Sequence, residues 1–133
     1  MKASYCLGAD IGGTTIKLAI ISSEGEIQEK WEIKTDTSNE GINIPEDIYQ
    51  AFQKKLEDLN IHNQQILGIG LGAPGFVNTE TGFIYEAVNI GWKNFALGEQ
   101  MKQLSSLPVW VDNDANLAAI GENWLGREMV LTI

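Results

Sequence analysis

The sequence predicts an α/β fold built on a mixed sheet, its elements running βββαβαβα with helices flanking the sheet. Three observations carry that expectation. Apolar runs rich in β-branched residues and separated by glycine turns open the chain, a segment after Pro45 repeats apolar residues at helical spacing, and short buried strands then alternate with helical segments. Most of the fourteen glycines gather at Gly8–Gly13, Gly68–Gly75 and Gly82–Gly98, where they mark turns.

Taken in order, Tyr5–Asp10 reads as a buried strand, Gly12-Gly13 as a tight turn and Thr15–Ile21 as the return strand. Ser22–Gly25 is a hairpin turn into Glu26–Lys34, which completes a three-stranded meander. Pro45 suits the first turn of a helix, and Ile48, Ala51, Phe52, Leu56 and Leu59 share one face of it to about Asn60. Gln65–Ala73 is another buried strand, and Phe76–Tyr85 is extended but broken by turns. Phe95–Leu107 carries Leu97, Met101 and Leu104 at helical spacing before Pro108 stops it. Val109–Asp112 is the last complete strand. A helix opening near Asp114 runs to about Trp124, with Leu117, Gly121 and Trp124 on one side and Gly126 beyond its end. Met129–Ile133 starts a further apolar strand with no turn after it, so the chain reads as cut short.

Composition narrows the function classes. The 133 residues suit one domain of the usual ~100–150 residues, and 44% hydrophobic with 20% charged residues is an ordinary globular balance. Eighteen acidic against nine scattered basic residues give a charge of −9, which argues against a nucleic-acid partner. Cys6 stands alone and suits a reducing compartment. No apolar stretch approaches the ~18–20 residues of a membrane span, and Gly8 and Asp10 cut the N-terminal patch too early for a signal peptide. The expected location is cytoplasmic, with no membrane partner.

Two motifs carry the strongest chemistry. In Asp10-Ile-Gly-Gly-Thr-Thr15, bare backbone at Gly12 and Gly13 lets several N–H groups point into one small volume, a nest for phosphate oxygens that the Thr14 and Thr15 hydroxyls can join. The Asp10 carboxylate would repel phosphate unless a divalent cation lay between them, which points to magnesium nucleotide; the alternative is a plain hairpin turn capped by Asp10. In Val111-Asp-Asn-Asp-Ala-Asn116, a strand ends in carboxylates and amides as a helix begins. Asp114 there can act as a general base toward a sugar hydroxyl, while Asn113 and Asn116 suit polyol recognition; the alternative is a helix N-cap.

Other features are weaker. Gly70-x-Gly72-x-x-Gly75 matches a dinucleotide fingerprint in letters only, because Pro74 and the extended Phe76–Thr79 stretch oppose the helix it needs. A strand feeding a tight loop fits better. Trp92 can lie against a sugar ring or pack in the core. His62 has no histidine or cysteine cluster around it and reads as a surface residue.

Taken together and in this order, Asp10-Ile-Gly-Gly-Thr-Thr-Ile-Lys17, Gly72-Ala-Pro-Gly-Phe-Val-Asn78, Ala87-Val-Asn-Ile-Gly-Trp92 and Val111-Asp-Asn-Asp-Ala-Asn116 resemble the ROK-family bacterial glucokinases. The resemblance covers Tyr5 to about Gly126 and implies the N-terminal lobe of an actin-like ATPase (ribonuclease H-like) fold, with residues 1–133 as that single lobe and the C-terminal lobe absent. It implies ATP-dependent phosphorylation of a hexose, most simply glucose to glucose 6-phosphate. Asp10, Gly12, Gly13 and Thr14 would form the first phosphate loop, Asp10 acting on Mg2+ through a bound water. Gly75, Asn89, Asn113 and Asp114 would contact the hexose, and Asp114 would be the catalytic base. ATP and Mg2+ are the implied cofactors, a hexose is the implied partner, and full-length relatives are expected to be homo-oligomers. The family's second phosphate loop, adenosine site, Glu-x-Gly-His motif and zinc site are not within these residues, so the isolated chain is expected to be inactive. It is also expected to self-associate through the Met129–Ile133 edge and the Trp92 loop. The competing reading is a non-catalytic sugar-binding or interaction module, as in the repressor branch of the same family.

Overall fold

The first three strands form a meander, β1 and β2 with nearly continuous buried runs and β3 alternating: β1 (Tyr5–Ile11), β2 (Thr15–Ser22) and β3 (Ile27–Lys34) pair antiparallel, from Tyr5↔Ser22 to Ile11↔Ile16 and from Thr15↔Lys34 to Ile21↔Ile27. These coordinates are a computed structural model that describes residues 3–113. On the other side of β1 lies β4 (Ile66–Ala73), parallel to it, and β8 (Val109–Asn113) is parallel to β4, so the sheet order is β3-β2-β1-β4-β8. The mixed α/β architecture is as the sequence predicts. The helix expected near Asp114–Trp124 and the strand expected at Met129–Ile133 lie outside the described residues.

Helix α2 (Ile44–Asp58) follows a short helical turn, α1 (Ser38–Gly41), and has Pro45 in its first turn, where a missing N–H costs nothing. Its Ile48, Phe52 and Leu56 pack on the sheet face of Leu7, Ala9, Ile11, Leu18, Ile20, Ile69 and Leu71 in one core. Ala51 is only partly buried at its margin. The helix ends on left-handed Asn60, with the Ile61 N–H donating to the Leu56 carbonyl and the Asn60 N–H to that of Glu57. Leu59, expected on the core face, is instead 40% exposed, because it sits at the cap where the chain leaves the helical path. A 3-10 turn, Asn63–Gln65, leads into β4, and His62 before it is exposed, as expected.

The order βββαβαβα omits a second sheet. β5 (Phe76–Asn78), β6 (Phe83–Ala87) and β7 (Trp92–Phe95) pair antiparallel in the order β5-β6-β7 between β4 and α3 (Leu97–Ser105). β7 escapes the sequence reading because four residues cannot establish an alternation, and Asn94 within it has a positive φ of 51°. In α3, Leu97 and Met101 are fully buried, and the helix stops at left-handed Ser106, two residues before Pro108.

The opposite face of the main sheet carries a smaller cluster of Cys6, Ala19, Ile21 and Trp110. Burial pushes the Cys6 thiol up to about 12, which leaves almost no thiolate at neutral pH. Iodoacetamide at pH 8 should therefore label Cys6 only after unfolding in urea. Rapid labelling of the folded chain, followed by mass spectrometry, would contradict this burial.

Candidate functional site

Because β1, β4 and β8 are parallel, their C-terminal ends at Ile11, Ala73 and Asn113 lie along one edge of the sheet, the usual ligand edge of such arrangements. The register sets Lys17, Asp10, Gly72 and Asp112 side by side on one rung, with Ala73↔Asn113 on the next. Adjacent strands lie about 4.8 Å apart, so half-buried Asp10 stands on the sheet directly below the Gly12-Gly13 turn.

That turn closes with the Gly12 N–H donating to the Thr15 carbonyl at 3.0 Å. A Cβ on Gly12 would lie 2.8 Å from that same oxygen, so no other residue fits. Gly13 and Thr14 form the exposed tip. The turn is fixed from outside as well, by Thr35 just past the end of β3. Its hydroxyl donates to the Gly12 carbonyl at 2.8 Å and its backbone N–H to the Thr14 carbonyl at 2.9 Å. Thr35 is 5% exposed, and sequence reasoning passed over it.

A cleft of about 200 Å³ lies beside the turn, bounded by Pro74, Gly75, Phe76 and the 86–89 segment, so Gly75 and Asn89 share one cavity. Gly75 has a φ of +88°, and a Cβ there would lie 2.0 Å from the Glu86 carbonyl oxygen. Only glycine lets the two loops meet. Gly13 closes the approach from the other side: its Cβ position is 3.4 Å from the Asn89 Cβ. Asn113 is exposed at the end of β8, and β5, which begins at Phe76, packs against that strand. The structure thus brings Gly12, Gly13, Thr14, Gly75 and Asn89 together and sets Asn113 alongside. Asp114 and Asn116 lie outside the described residues.

Trp92 is core, not a sugar platform. It is 2% exposed, stacks on Phe95 at 4.5 Å and donates its indole N–H to the Gly41 carbonyl at 3.0 Å. The exposed apolar surface near it belongs instead to Val88 and Phe76, 79% and 71% exposed. Between Thr35 and Gly41, Asp36 accepts from the Ser38 hydroxyl and amide and from the Asn43 side chain. Those bonds, the Ser38 hydroxyl first, hold its carboxyl below the usual range, so this cap persists at neutral pH and is lost only as pH falls through the lowered value. Among the described residues no group of three or more His, Cys, Asp or Glu gathers to hold a metal, and no helix is long and apolar enough to cross a membrane.

Comparison with known proteins places the chain among relatives of one family. The model of the ROK family matches residues 6–131. A glucokinase of Halalkalibacterium halodurans is 48% identical over 126 residues, which cover 95% of this chain and 38% of that protein. A xylose repressor of Caldicellulosiruptor bescii is 31% identical over 123 residues, covering 91% and 30%. Among solved structures, a ROK family glucokinase from Streptomyces griseus in complex with glucose and AMPPNP superposes with a TM-score of 0.66 at 29% identity, over 85% of this chain and 34% of that one. The chain therefore spans little more than a third of the glucokinase it matches at 48% identity.

The glycine geometry makes a direct test. Gly75→Ala adds a clash with the Glu86 carbonyl to left-handed strain and should cost ~3 kcal/mol or more, whereas Gly25→Ala, with nothing within 4 Å of its Cβ position, should cost only ~1–2. Urea unfolding measures both. Equal losses would contradict the close approach.

Proposed function

This chain belongs to the ROK family and has the actin-like ATPase fold of its sugar kinases, and from that premise we propose that it is the N-terminal lobe of an ATP-dependent hexose kinase acting on glucose. The observation that carries the reading is the contact of Gly13 with Asn89, which sets a phosphate-type turn against a sugar-sized cleft on one sheet edge.

In this reading Gly12, Gly13 and Thr14 receive phosphate oxygens. The exposed tip fits that task, being small, free of carboxylates and rich in backbone N–H groups, while Asp10, two residues before Gly12, can hold a magnesium-bound water. MgATP supplies the phosphoryl group and, through the metal, neutralises its charge. Gly75, Asn89 and Asn113 hold the hexose and orient its 6-hydroxyl. Asp114 takes the hydroxyl proton as that oxygen forms its bond to the γ-phosphorus and the bond from phosphorus to the β,γ-bridging oxygen breaks, leaving ADP. Positioning the two reactants in line supplies much of the remaining acceleration.

A second reading, sugar binding without phosphoryl transfer, is favoured by the 31% identity to a xylose repressor. The 48% identity to a glucokinase and the carboxylate at position 114 favour the kinase.

A chimera joining this chain to the remaining C-terminal residues of the Halalkalibacterium halodurans glucokinase tests the assignment by glucose-dependent ADP formation. Asp114→Asn should lower kcat by roughly 10²–10⁴ with a far smaller change in the KM for glucose, whereas Asp10→Asn should raise the KM for MgATP. Unchanged turnover in Asp114→Asn would remove it from the base role. Glucose binding without turnover in the unsubstituted chimera would favour the repressor-type reading.

A further inference from the structure

We propose that Thr35 is the positioning residue of the phosphate turn, fixing the direction in which the Gly12–Gly13 peptide presents its N–H. The inference rests on the proposed role of that turn in binding phosphate and names a residue outside it that sets its shape. A trans peptide carries its C=O and N–H on opposite sides. The Thr35 hydroxyl accepts no such ambiguity: by donating to the Gly12 carbonyl at 2.8 Å it turns that oxygen toward β3 and the Gly13 N–H away, to the exposed tip. The Thr35 backbone N–H draws the Thr14 carbonyl the same way at 2.9 Å, so two oxygens that would repel an incoming phosphate face the protein.

The turn needs this help because of its own composition. Two consecutive glycines offer little steric resistance to rotation of the peptide plane between them, and a flipped plane would aim the Gly12 carbonyl at the phosphate. Gly12 is anchored through its N–H to Thr15, but that bond leaves the following peptide free to turn. Thr35 is nearly fully buried, so its hydroxyl has little water to bond with instead, and the strand pairing Thr15↔Lys34 holds it in place. Its effect on the ligand passes through the turn, and Thr35 itself need not touch phosphate.

The test is a titration with MgATP of the chimera with the Halalkalibacterium halodurans glucokinase, which restores the second phosphate loop and adenosine site, followed through the backbone amide resonances of Gly12, Gly13 and Thr14. Thr35→Ser keeps the donor and should bind within about 2-fold of the parent, whereas Thr35→Val, of the same shape without the donor, should bind about 10-fold more weakly and lose the Gly13 response. Thr35→Ala serves as a second donor deletion should the valine variant fail to fold, with urea midpoints reporting foldedness. Folded donor-deleted variants that bind MgATP like the parent, with the same Gly13 shift, would overturn the proposal. No response of the turn in the unsubstituted chimera would instead overturn the phosphate role of the turn, a failure of the functional reading distinct from the first outcome.

Discussion

Parallel pairing of β1 with β4 and of β4 with β8 is the constraint on which the site depends. Three strands distant in sequence end at the same edge of the sheet only because they run the same way, and the rung of Asp10, Gly72 and Asp112 fixes their relative height. An antiparallel β4 would carry Gly75 to the opposite end of the sheet, together with the cleft it lines. The central strands are buried on both faces, by α2 and its core partners on one side and the Cys6 and Trp110 cluster on the other, as parallel strands require. Apolar burial, at about 25 cal/mol per Å², therefore supports the site without contributing chemistry to it.

Around that edge the loops close into a ring of contacts. Gly13 meets Asn89, the chain runs on to Trp92, the Trp92 indole bonds to Gly41, and the segment back from Gly41 passes Asp36 to Thr35, which holds Gly12. The ring contains three consecutive residues with positive φ, Asn39, Glu40 and Gly41, and Glu40 has no steric licence for that conformation. The fit of Gly41 beneath Trp92 explains the bend, since a Cβ on Gly41 would come within 2.7 Å of the indole nitrogen. A buried hydrogen bond of this kind is worth ~0.5–1.5 kcal/mol, and the stacked Phe95 adds to it. The Gly12-Gly13 turn and the cleft lined by Gly75 and Asn89 are consequently parts of one packed unit.

The main sheet and both long helices were legible in the sequence because each buries one face or both, which leaves a period in the residues: Ile48, Phe52 and Leu56 in α2, Leu97 and Met101 in α3. The motif residues around Gly12 and Asn89 were legible as types, since glycine and asparagine at strand ends carry specific conformational meaning. Their adjacency was not, because it arises from β5, β6 and β7, strands of three to five residues whose pairing depends on tertiary contacts. Thr35 was hidden for a sharper reason. Counting back from the Ser22–Gly25 hairpin places Lys34 opposite Thr14, and only the irregularity between Ile20 and Ile21 shifts the register by one and sets Thr35 against the turn. A bulge of that kind leaves no mark in composition.

The central claim is that one sheet edge holds a nucleotide-phosphate turn and a sugar cleft in contact. Substituting paramagnetic Mn2+ for Mg2+ in a titration of the glucokinase chimera with ATP tests it most directly, because amide broadening falls steeply with distance from the ion. The account predicts broadening that is strongest at Gly12, Gly13 and Thr14, extends to Asn89 and Gly75, and spares the Ser22–Gly25 hairpin some 25 Å away at the other end of β2. Broadening centred on that hairpin, or spread evenly over the chain with Asn89 left sharp, would contradict it.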